Sequence, residues 1–294
     1  MTSETSASPT PKSASVYSRF VGHQGVMVGA FIVLAIFILA LFAPILAPHD
    51  PYQQNLLARL IPPVWDSRGS WEHIFGTDHL GRDYLSRLIY GARISLFIGF
   101  GAALISGLIG TVMGVMAGYF GGRVDMVVTF LITVRLSMPV VLVALAVVAI
   151  VGGSLQVVIM VLGLLLWDRF AVVMRSSTLQ IRSMDYVAAA QAVGCSTPRI
   201  LITEIMPNVG NNLIVIATLE MAHAIILEAA LSFLGLGVQP PLPSWGLMVS
   251  EGKDMMLFEA WLITIPGVAL FLLVLAINLM GDGVRDITAP ENRN

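Results

Sequence analysis

Long apolar stretches alternate with shorter polar segments along most of this chain. Six stretches are close to the roughly 20 residues that a helix needs to cross a bilayer, at 25–47, 94–120, 124–151, 154–174, 213–237 and 260–280. Pro139 lies inside the third stretch and is expected to kink or interrupt its helix, which neighbouring helices permit in a membrane. We predict an all-α integral membrane protein with six transmembrane helices, which places both termini on one side of the membrane.

The polar segments divide the chain into five parts. Residues 1–24 are rich in Ser, Thr and Pro and are predicted to be a disordered cytosolic tail. Residues 25–47 are the first transmembrane helix, since the stretch is too long for a cleaved signal and no clear cleavage pattern follows it. Residues 48–93 are predicted to be an external segment, residues 94–285 a core with the other five helices, and residues 286–294 a second cytosolic tail.

Glycines recur at four-residue steps in the second predicted helix, at Gly110, Gly114 and Gly118. Such spacing puts small residues on one face, and in membranes that arrangement lets two helices approach closely. We therefore expect this face to pack against another helix.

Residues 183–208, between the fourth and fifth apolar stretches, are predicted to form a cytosolic loop of two short helices. Ser183 is expected to cap the first helix. Gly194 is expected to end it, because glycine enters the left-handed conformation at a helix C-terminus without a Cβ penalty. The first helix contains four alanines, whose small side chains would let another surface approach the backbone.

The second short helix is predicted from a different set of signals. Thr197 is expected to cap it and Pro198 to occupy its first position, where a missing N–H costs nothing. Pro207 is expected to mark its end.

Composition supports a membrane location and excludes several classes of function. The chain is 56% hydrophobic and 12% charged, with a net charge of −2 and a mean hydropathy of +0.84. Soluble domains are nearer a quarter charged, and no basic surface for nucleic acid is indicated. The single cysteine, Cys195, excludes an intrachain disulfide.

No motif for catalysis or a bound cofactor is found. The two lysines, Lys12 and Lys253, do not follow the glycine-rich pattern of a nucleotide-binding loop, so this chain is not expected to hydrolyse ATP. Asp78, His79 and Asp83 have side chains that can bind metal, but no spacing rule singles them out. We expect Asp–Arg contacts there and predict no metal site, no catalytic residue and no cofactor.

Several ionisable residues fall within or beside the predicted helices. Asp168 and Arg169 are expected to lie near the inner end of the fourth helix and to extend towards the interface. Asp125 and Arg135 make the first part of the third predicted helix too polar to face lipid, so this part is expected to lie at the interface or against protein. Such groups are costly in a bilayer and face protein or a cavity.

The fifth predicted helix contains three further ionisable residues, Glu220, His223 and Glu228. The spacing of three places Glu220 and His223 on one helix face, and Glu228, eight residues after Glu220, falls near that face again. Two interpretations remain open: these side chains line a substrate path, or they form hydrogen bonds between helices.

The loop at 183–208 resembles that of binding-protein-dependent ABC importer permeases, whose pattern is Glu-Ala-Ala, three residues, Gly, nine residues, then Ile-x-Leu-Pro. Ala189, Ala190, Gly194 and Pro207 fall on this pattern. The chain departs from it where Ala188, Glu204 and Met206 replace Glu, Ile and Leu. Segments 75–83, 227–237, 239–246 and 281–286 also resemble the dipeptide, oligopeptide and nickel branch, and in particular its second permease.

This resemblance implies a type-1 ABC importer permease fold in a bacterial inner membrane and a set of partners. They are a homologous permease in a heterodimer, two cytosolic ABC ATPase subunits and an extracytoplasmic substrate-binding protein. It also implies that Tyr186, Ala189, Ala190, Gly194 and Pro207 couple the permease to the ATPases. The orientation of the termini towards the cytosol rests on this loop more than on the distribution of charge.

The function implied is import of di- or oligopeptides, or of related small solutes, by ATP-driven alternating access. Opines, nickel complexes, glutathione and sugars are alternative cargoes. A secondary transporter or channel that works without ATP is the alternative from another class, and it would be expected to contain inverted repeats and broken helices.

Overall fold

The computed structural model describes residues 23–288, and these residues fold into helices joined by turns and loops. The first part contains α1 (Gln24–Leu41), α2 (Ala43–Leu46), α3 (Tyr84–Phe120), α4 (Gly122–Ser137), α5 (Val140–Val151), α6 (Leu155–Leu165) and α7 (Trp167–Arg182). The second part contains α8 (Asp185–Ala192), α9 (Thr197–Ile200), a π turn (Leu201–Ile205), α10 (Met206–Phe233), α11 (Trp245–Gly252) and α12 (Trp261–Thr288). No β-strand occurs within residues 23–288, where isolated bridges are the only extended pairing. Of the predicted tails at 1–24 and 286–294, residues 1–22 and 289–294 lie outside the described residues.

Among residues 23–288, five helical segments are long and apolar enough to cross a membrane, and a sixth span results if α4 and α5 count as one. The two helices meet at 84°. The bend falls at Pro139, which precedes the first residue of α5, while Met138 is extended at φ −94° and ψ 128°. A residue before proline is forced out of the helical region, so the sequence itself accounts for this break.

Several helix ends differ from the predicted ones, and two of them have a clear local cause. The second membrane helix begins at Tyr84 and not at residue 94, because the Asp83 side chain accepts a hydrogen bond from the Ser86 N–H and caps α3. The predicted external segment 48–93 therefore includes the first turns of α3. The first membrane helix breaks at Phe42, just before Pro44, and α2 follows it.

The glycine face of α3 packs directly against the backbone of α7. A Cβ atom added at Gly110, Gly114 or Gly118 would lie 2.3, 2.6 or 2.7 Å from a carbonyl oxygen of α7. The carbonyl groups belong to Trp167, Ala171 and Arg175, respectively. Real Cβ atoms do not come this close to an oxygen, so only glycine fits, and the predicted packing face is confirmed.

The polar segment between α2 and α3 is held by a buried network of charges. Asp78 Oδ2 accepts a hydrogen bond of 2.6 Å from Arg82 Nε and a second from Arg87 Nη1. Glu251 of α11 completes the network, with its Oε1 at 3.1 Å from Arg82 Nη2 and its Oε2 at 2.7 Å from Arg87 Nη1. Asp78, Arg82 and Arg87 are all at least 97% buried. The predicted Asp–Arg contacts are confirmed.

The charge state of Asp78 follows from this environment. Burial opposes ionisation of the carboxyl group, but Arg87, Arg82 and backbone N–H groups favour it, and together they lower the pKa of Asp78. Asp78 is therefore a carboxylate at neutral pH, and its negative charge is neutralised by the two guanidinium groups.

Candidate functional site

The first helix of the 183–208 loop, α8, begins one residue later than the sequence predicted. Met184 is the N-cap residue and makes no side-chain cap bond. Ser183 instead ends α7, where its hydroxyl donates to the carbonyl group of Gln180 at 2.7 Å. The predicted cap is wrong because this serine bonds back to the preceding helix, an alternative open to any serine near a helix end.

Gly194 terminates α8 as predicted. Its φ angle is +83°, and its N–H donates to the Gln191 carbonyl group at 3.0 Å. The next N–H, that of Cys195, donates to the Ala190 carbonyl group at 3.0 Å. These two bonds form a Schellman motif, which requires a left-handed residue at the Gly194 position.

The second helix of the loop departs from the prediction at both ends. Ser196, and not Thr197, is its N-cap residue, so Pro198 occupies the second helical position. Pro207 does not end it, because the helix continues through the π turn Leu201–Ile205 into α10. The wider π turn lets the chain pass a residue that lacks an N–H and whose ring would clash in a regular α-helix.

One residue anchors α8 to the rest of the protein. Val187 is fully buried in a cluster with residues of α7, α9, the π turn and α10. These residues are Met174, Ile200, Ile205 and Val209. Val187 is the only buried residue of α8. The sequence did not single it out, although a lone valine in an alanine-rich helix was an available signal.

The predicted coupling residues lie mostly on the opposite, accessible surface. Tyr186, Ala189 and Gly194 are exposed, while Ala190 is half-buried against the same cluster as Val187. Pro207 is exposed too, but it lies on α10 and outside the hairpin that α8 and α9 form at residues 185–200. The structure therefore groups four of the five predicted residues and separates the fifth.

The hairpin also contacts the end of α3 through Tyr119. The Gln191 side-chain amide donates to the Tyr119 hydroxyl at 3.4 Å. The Arg182 guanidinium lies 5.9 Å from the centre of the Tyr119 ring, within the range of a cation–π contact. The Arg182 contact joins α7 to α3, and the Gln191 bond links α3 to the hairpin, which Val187 also connects to α7 and α10.

A second candidate site lies halfway along the membrane helices. Glu220 on α10 is fully buried, and its Oε1 lies 3.2 Å from Nη1 of Arg169 on α7. Its Oε2 lies 3.2 Å from Nδ1 of His223, one turn further along α10. Glu220 and His223 therefore share a site, as their spacing predicted. Arg169 is an unpredicted third member, which lies in the middle of the helical segment Leu155–Arg182.

Glu228 is separate from this cluster. Its Oε1 accepts hydrogen bonds from Ser232 at 2.7 Å and from Ser244 at 2.9 Å. A Cβ atom at Gly246 would lie 2.8 Å from its Oε2. Glu228 thus joins α10 to the start of α11, which favours the packing interpretation for this residue.

A polar groove of about 690 Å³ runs between α7 and α10 on the hairpin side of Arg169 and Glu220. Its polar lining comes from Ser176, Ser177, Gln180, Asn208, Asn211 and Asn212, and from Arg285 of α12. Asn212 donates to the Ser177 hydroxyl at 2.7 Å and so bridges the two helices. Arg169, Ser176 and Gln180 share one face of α7, since their spacings of seven and four return to the same side of a helix.

Asp125 at the start of α4 pairs with Arg175 of α7. The contact is bidentate, with one bond from Arg175 Nε and another of 2.7 Å from Arg175 Nη2. Arg135, further along α4, donates to the Leu165 carbonyl group at 2.7 Å. Both charged side chains thus bond to neighbouring helices.

Comparison with known protein families assigns most of this chain to one of them. Residues 110–294 match the family described as "Binding-protein-dependent transport system inner membrane component". The chain belongs to this family. Residues 14–63 of the permease also match the N-terminal transmembrane domain of oligopeptide transport permease C.

Curated relatives place this permease among ABC transport permeases of one branch. It is 40% identical over 278 residues to the di/tripeptide transport system permease protein DppC of Pseudomonas aeruginosa, with 95% of this chain and 92% of the relative covered. It is 38% identical over 272 residues to the dipeptide transport system permease protein DppC of Haemophilus influenzae, with 92% of each covered. The chain is thus a permease subunit of an ABC importer.

A solved structure supports the fold independently. Inward-facing conformations of the MetNI methionine ABC transporter match 69% of this chain and 97% of the solved chain, with a TM-score of 0.58 and 20% sequence identity. The predicted type-1 ABC importer permease fold is confirmed.

Proposed function

We propose that this permease imports di- or oligopeptides through a path that it forms with a homologous permease subunit. Two cytosolic ABC ATPases drive the cycle, and an extracytoplasmic substrate-binding protein delivers the cargo. The chain itself does not hydrolyse ATP, since its two lysines lie outside any nucleotide-binding pattern. In this arrangement the membrane is the bacterial inner membrane, both termini and the 183–208 loop are cytosolic, and 48–83 and 234–260 are external.

The observation that carries this proposal is the construction of the α8 hairpin. Its accessible surface includes Ala188, Ala189, Ala192 and Gly194, on a helix that only Val187 anchors by burial. Small side chains let another chain contact the backbone closely, which suits insertion into a cleft of an ATPase. Because Val187 packs against both Met174 of α7 and Val209 of α10, a displacement of α8 acts on two membrane helices together.

The substrate path is proposed to follow the polar groove and the charge cluster at its end. The groove lies between the two helices on which the hairpin acts, and it leads from the hairpin side to Arg169, Glu220 and His223. The Arg169 side chain is 56% exposed in the isolated chain. Ionisable groups at this depth are costly unless they face a cavity or a partner, and peptides carry charged termini that such groups can bind.

Reconstitution tests this function directly. Proteoliposomes that contain both permeases and the ATPases should take up labelled dipeptide when the loaded binding protein is outside and ATP is inside. Omitting ATP, or either ATPase, should abolish uptake. Uptake by this chain alone, at the rate of the complete system, would instead favour an ATP-independent secondary transporter or channel and overturn the proposal.

His223→Ala and Glu220→Gln should change which peptides are transported. We expect the ratio of uptake rates for acidic and basic dipeptides to shift by about 3- to 10-fold, since loss of one charge-assisted hydrogen bond is worth about 1 kcal/mol or more. Thr218→Ala is the matched control, because the Thr218 hydroxyl bonds only to its own helix, at the Val215 carbonyl group. Competition uptake with peptide pairs measures the ratio. An unchanged ratio in both variants would leave packing as the role of these residues.

A further inference from the structure

Three side chains that are distant in sequence meet beside the start of α3. His73 Nδ1 lies 2.9 Å from Asp83 Oδ1, and His49 Nδ1 lies 3.6 Å from the same oxygen atom. The two imidazole rings are 4.9 Å apart between centres. Two nitrogen atoms and one carboxylate oxygen therefore face a common point in the polar segment, well away from the hairpin and the membrane cluster.

The spacing of these donor atoms suits a small divalent metal ion. Zinc binds His nitrogen and Asp oxygen at about 2.0–2.2 Å in tetrahedral geometry, which separates its ligand atoms by about 3.3 Å. The distances of 2.9 and 3.6 Å lie on either side of this value, and all three donor atoms lie within 4.8 Å of one another. Small side-chain movements would bring the three donor atoms to the separations that a zinc ion requires.

Hydrogen bonding between these residues explains only part of the arrangement. The His73–Asp83 contact is a good hydrogen bond, but 3.6 Å is too long for a second one from His49. His49 Nδ1 is buried and has no hydrogen-bond partner among residues 23–288. A buried polar atom without a partner is costly, and a metal ion at the common point would satisfy it.

The groups around the cluster hold the ligands in place. Asp83 Oδ2 accepts the Ser86 N–H at 2.8 Å, which leaves Oδ1 free to face the two imidazoles. The His49 N–H donates to the Ser86 hydroxyl at 3.0 Å. Asp83 is 97% buried. Such outer contacts orient ligands in metal sites and contribute to their affinity.

We propose that His49, His73 and Asp83 bind one divalent transition-metal ion, for which zinc is the probe. Three protein ligands leave a fourth position for water, as in open zinc sites. The ion would join the segment after α2, the loop before α3 and the N-cap residue of α3. Asp78, His79 and Glu251 also lie close together, but Arg82 and Arg87 already neutralise both carboxylates of that group.

Zinc binding to the full-length permease, purified in detergent with its partner subunits, tests this site. Competition against a chromophoric chelator should show one high-affinity Zn²⁺ in the wild type that His49→Ala and His73→Ala weaken by more than about 100-fold, since losing a direct ligand costs more than losing an outer contact. His79→Ala is the matched control and should bind like the wild type. X-ray absorption at the zinc edge should show two imidazole ligands.

The folding of the variants is checked separately from their zinc binding. With a chelator present, the histidine variants should match the wild type in elution profile and helical circular dichroism, and Asp83→Asn offers a third ligand variant that keeps the cap of α3. Three results would overturn the proposal: no stoichiometric zinc in the wild type, unchanged affinity in a folded His49 or His73 variant, or an equal loss in His79→Ala. The test does not depend on the proposed transport function, because zinc binding is measured without uptake.

Discussion

Gly194→Val should lower peptide uptake by the assembled transporter by about 10- to 100-fold, because a strained backbone residue costs about 1–3 kcal/mol. Gly194 has a φ angle of +83°, a region that β-branched residues rarely enter. A Cβ atom at this position would meet no other atom within 4 Å, so the expected loss comes from the backbone and not from a collision. ATP-dependent uptake in proteoliposomes measures it.

Gly194→Asn is the matched control for this prediction, since asparagine tolerates the left-handed conformation far better than valine does. It should retain most of the uptake. Both variants should reach the membrane in normal amounts, as measured by immunoblotting of membranes, because the position is exposed and lies outside the membrane helices. The amount of ATPase that co-purifies should fall for valine alone. Wild-type uptake by Gly194→Val would contradict a coupling role for this hairpin.

Asp78→Ala should strongly destabilise the folded permease. Without this carboxylate, Glu251 is the remaining acidic partner of both Arg82 and Arg87. Arg87 is fully buried. Breaking a buried ion pair by removing one side costs about 3–5 kcal/mol. Thermal unfolding in detergent, followed by circular dichroism, should show a clearly lower midpoint.

Asp66→Ala is the control, because the pair that Asp66 makes with Arg68 is solvent-exposed and its loss should leave the midpoint unchanged.

The pH dependence of stability provides a second check. Asp78 has a lowered pKa in the folded protein relative to its ordinary value of 3.8, so its contribution is complete above that value and is lost as the pH falls through the lowered pKa. The difference between the wild type and Asp78→Ala should therefore narrow below about pH 4. A difference that persists in acid would contradict the ion network as its cause.

The features that sequence predicted correctly are those with local physical causes. Helix spans follow from apolar length, and the bend before α5 follows from Pro139 acting on its neighbour Met138. The end of α8 follows from Gly194, since the Schellman motif needs only the four or five residues around it. None of these depends on what lies elsewhere in the fold.

The errors arise where distant residues decide the outcome. Pro207 is a helix breaker by local rules, yet a π turn absorbs it while Ile205 and Val209 on either side pack against Val187. The pairing of Arg169 with Glu220 was missed because the two residues are 51 positions apart in the chain. The register that brings them together depends on how α7 and α10 pack, which no single stretch encodes.

The direct backbone contact between α3 and α7 determines which parts of the permease can change shape. Glycine alone fits opposite the α7 carbonyl groups, so a slide of less than one helical turn would push a side chain into an oxygen atom. We therefore expect α3 and α7 to move together as one rigid unit during the transport cycle. Bending must be concentrated at the irregular joints of the chain, the corner at Pro139 and the widened turn at Leu201–Ile205.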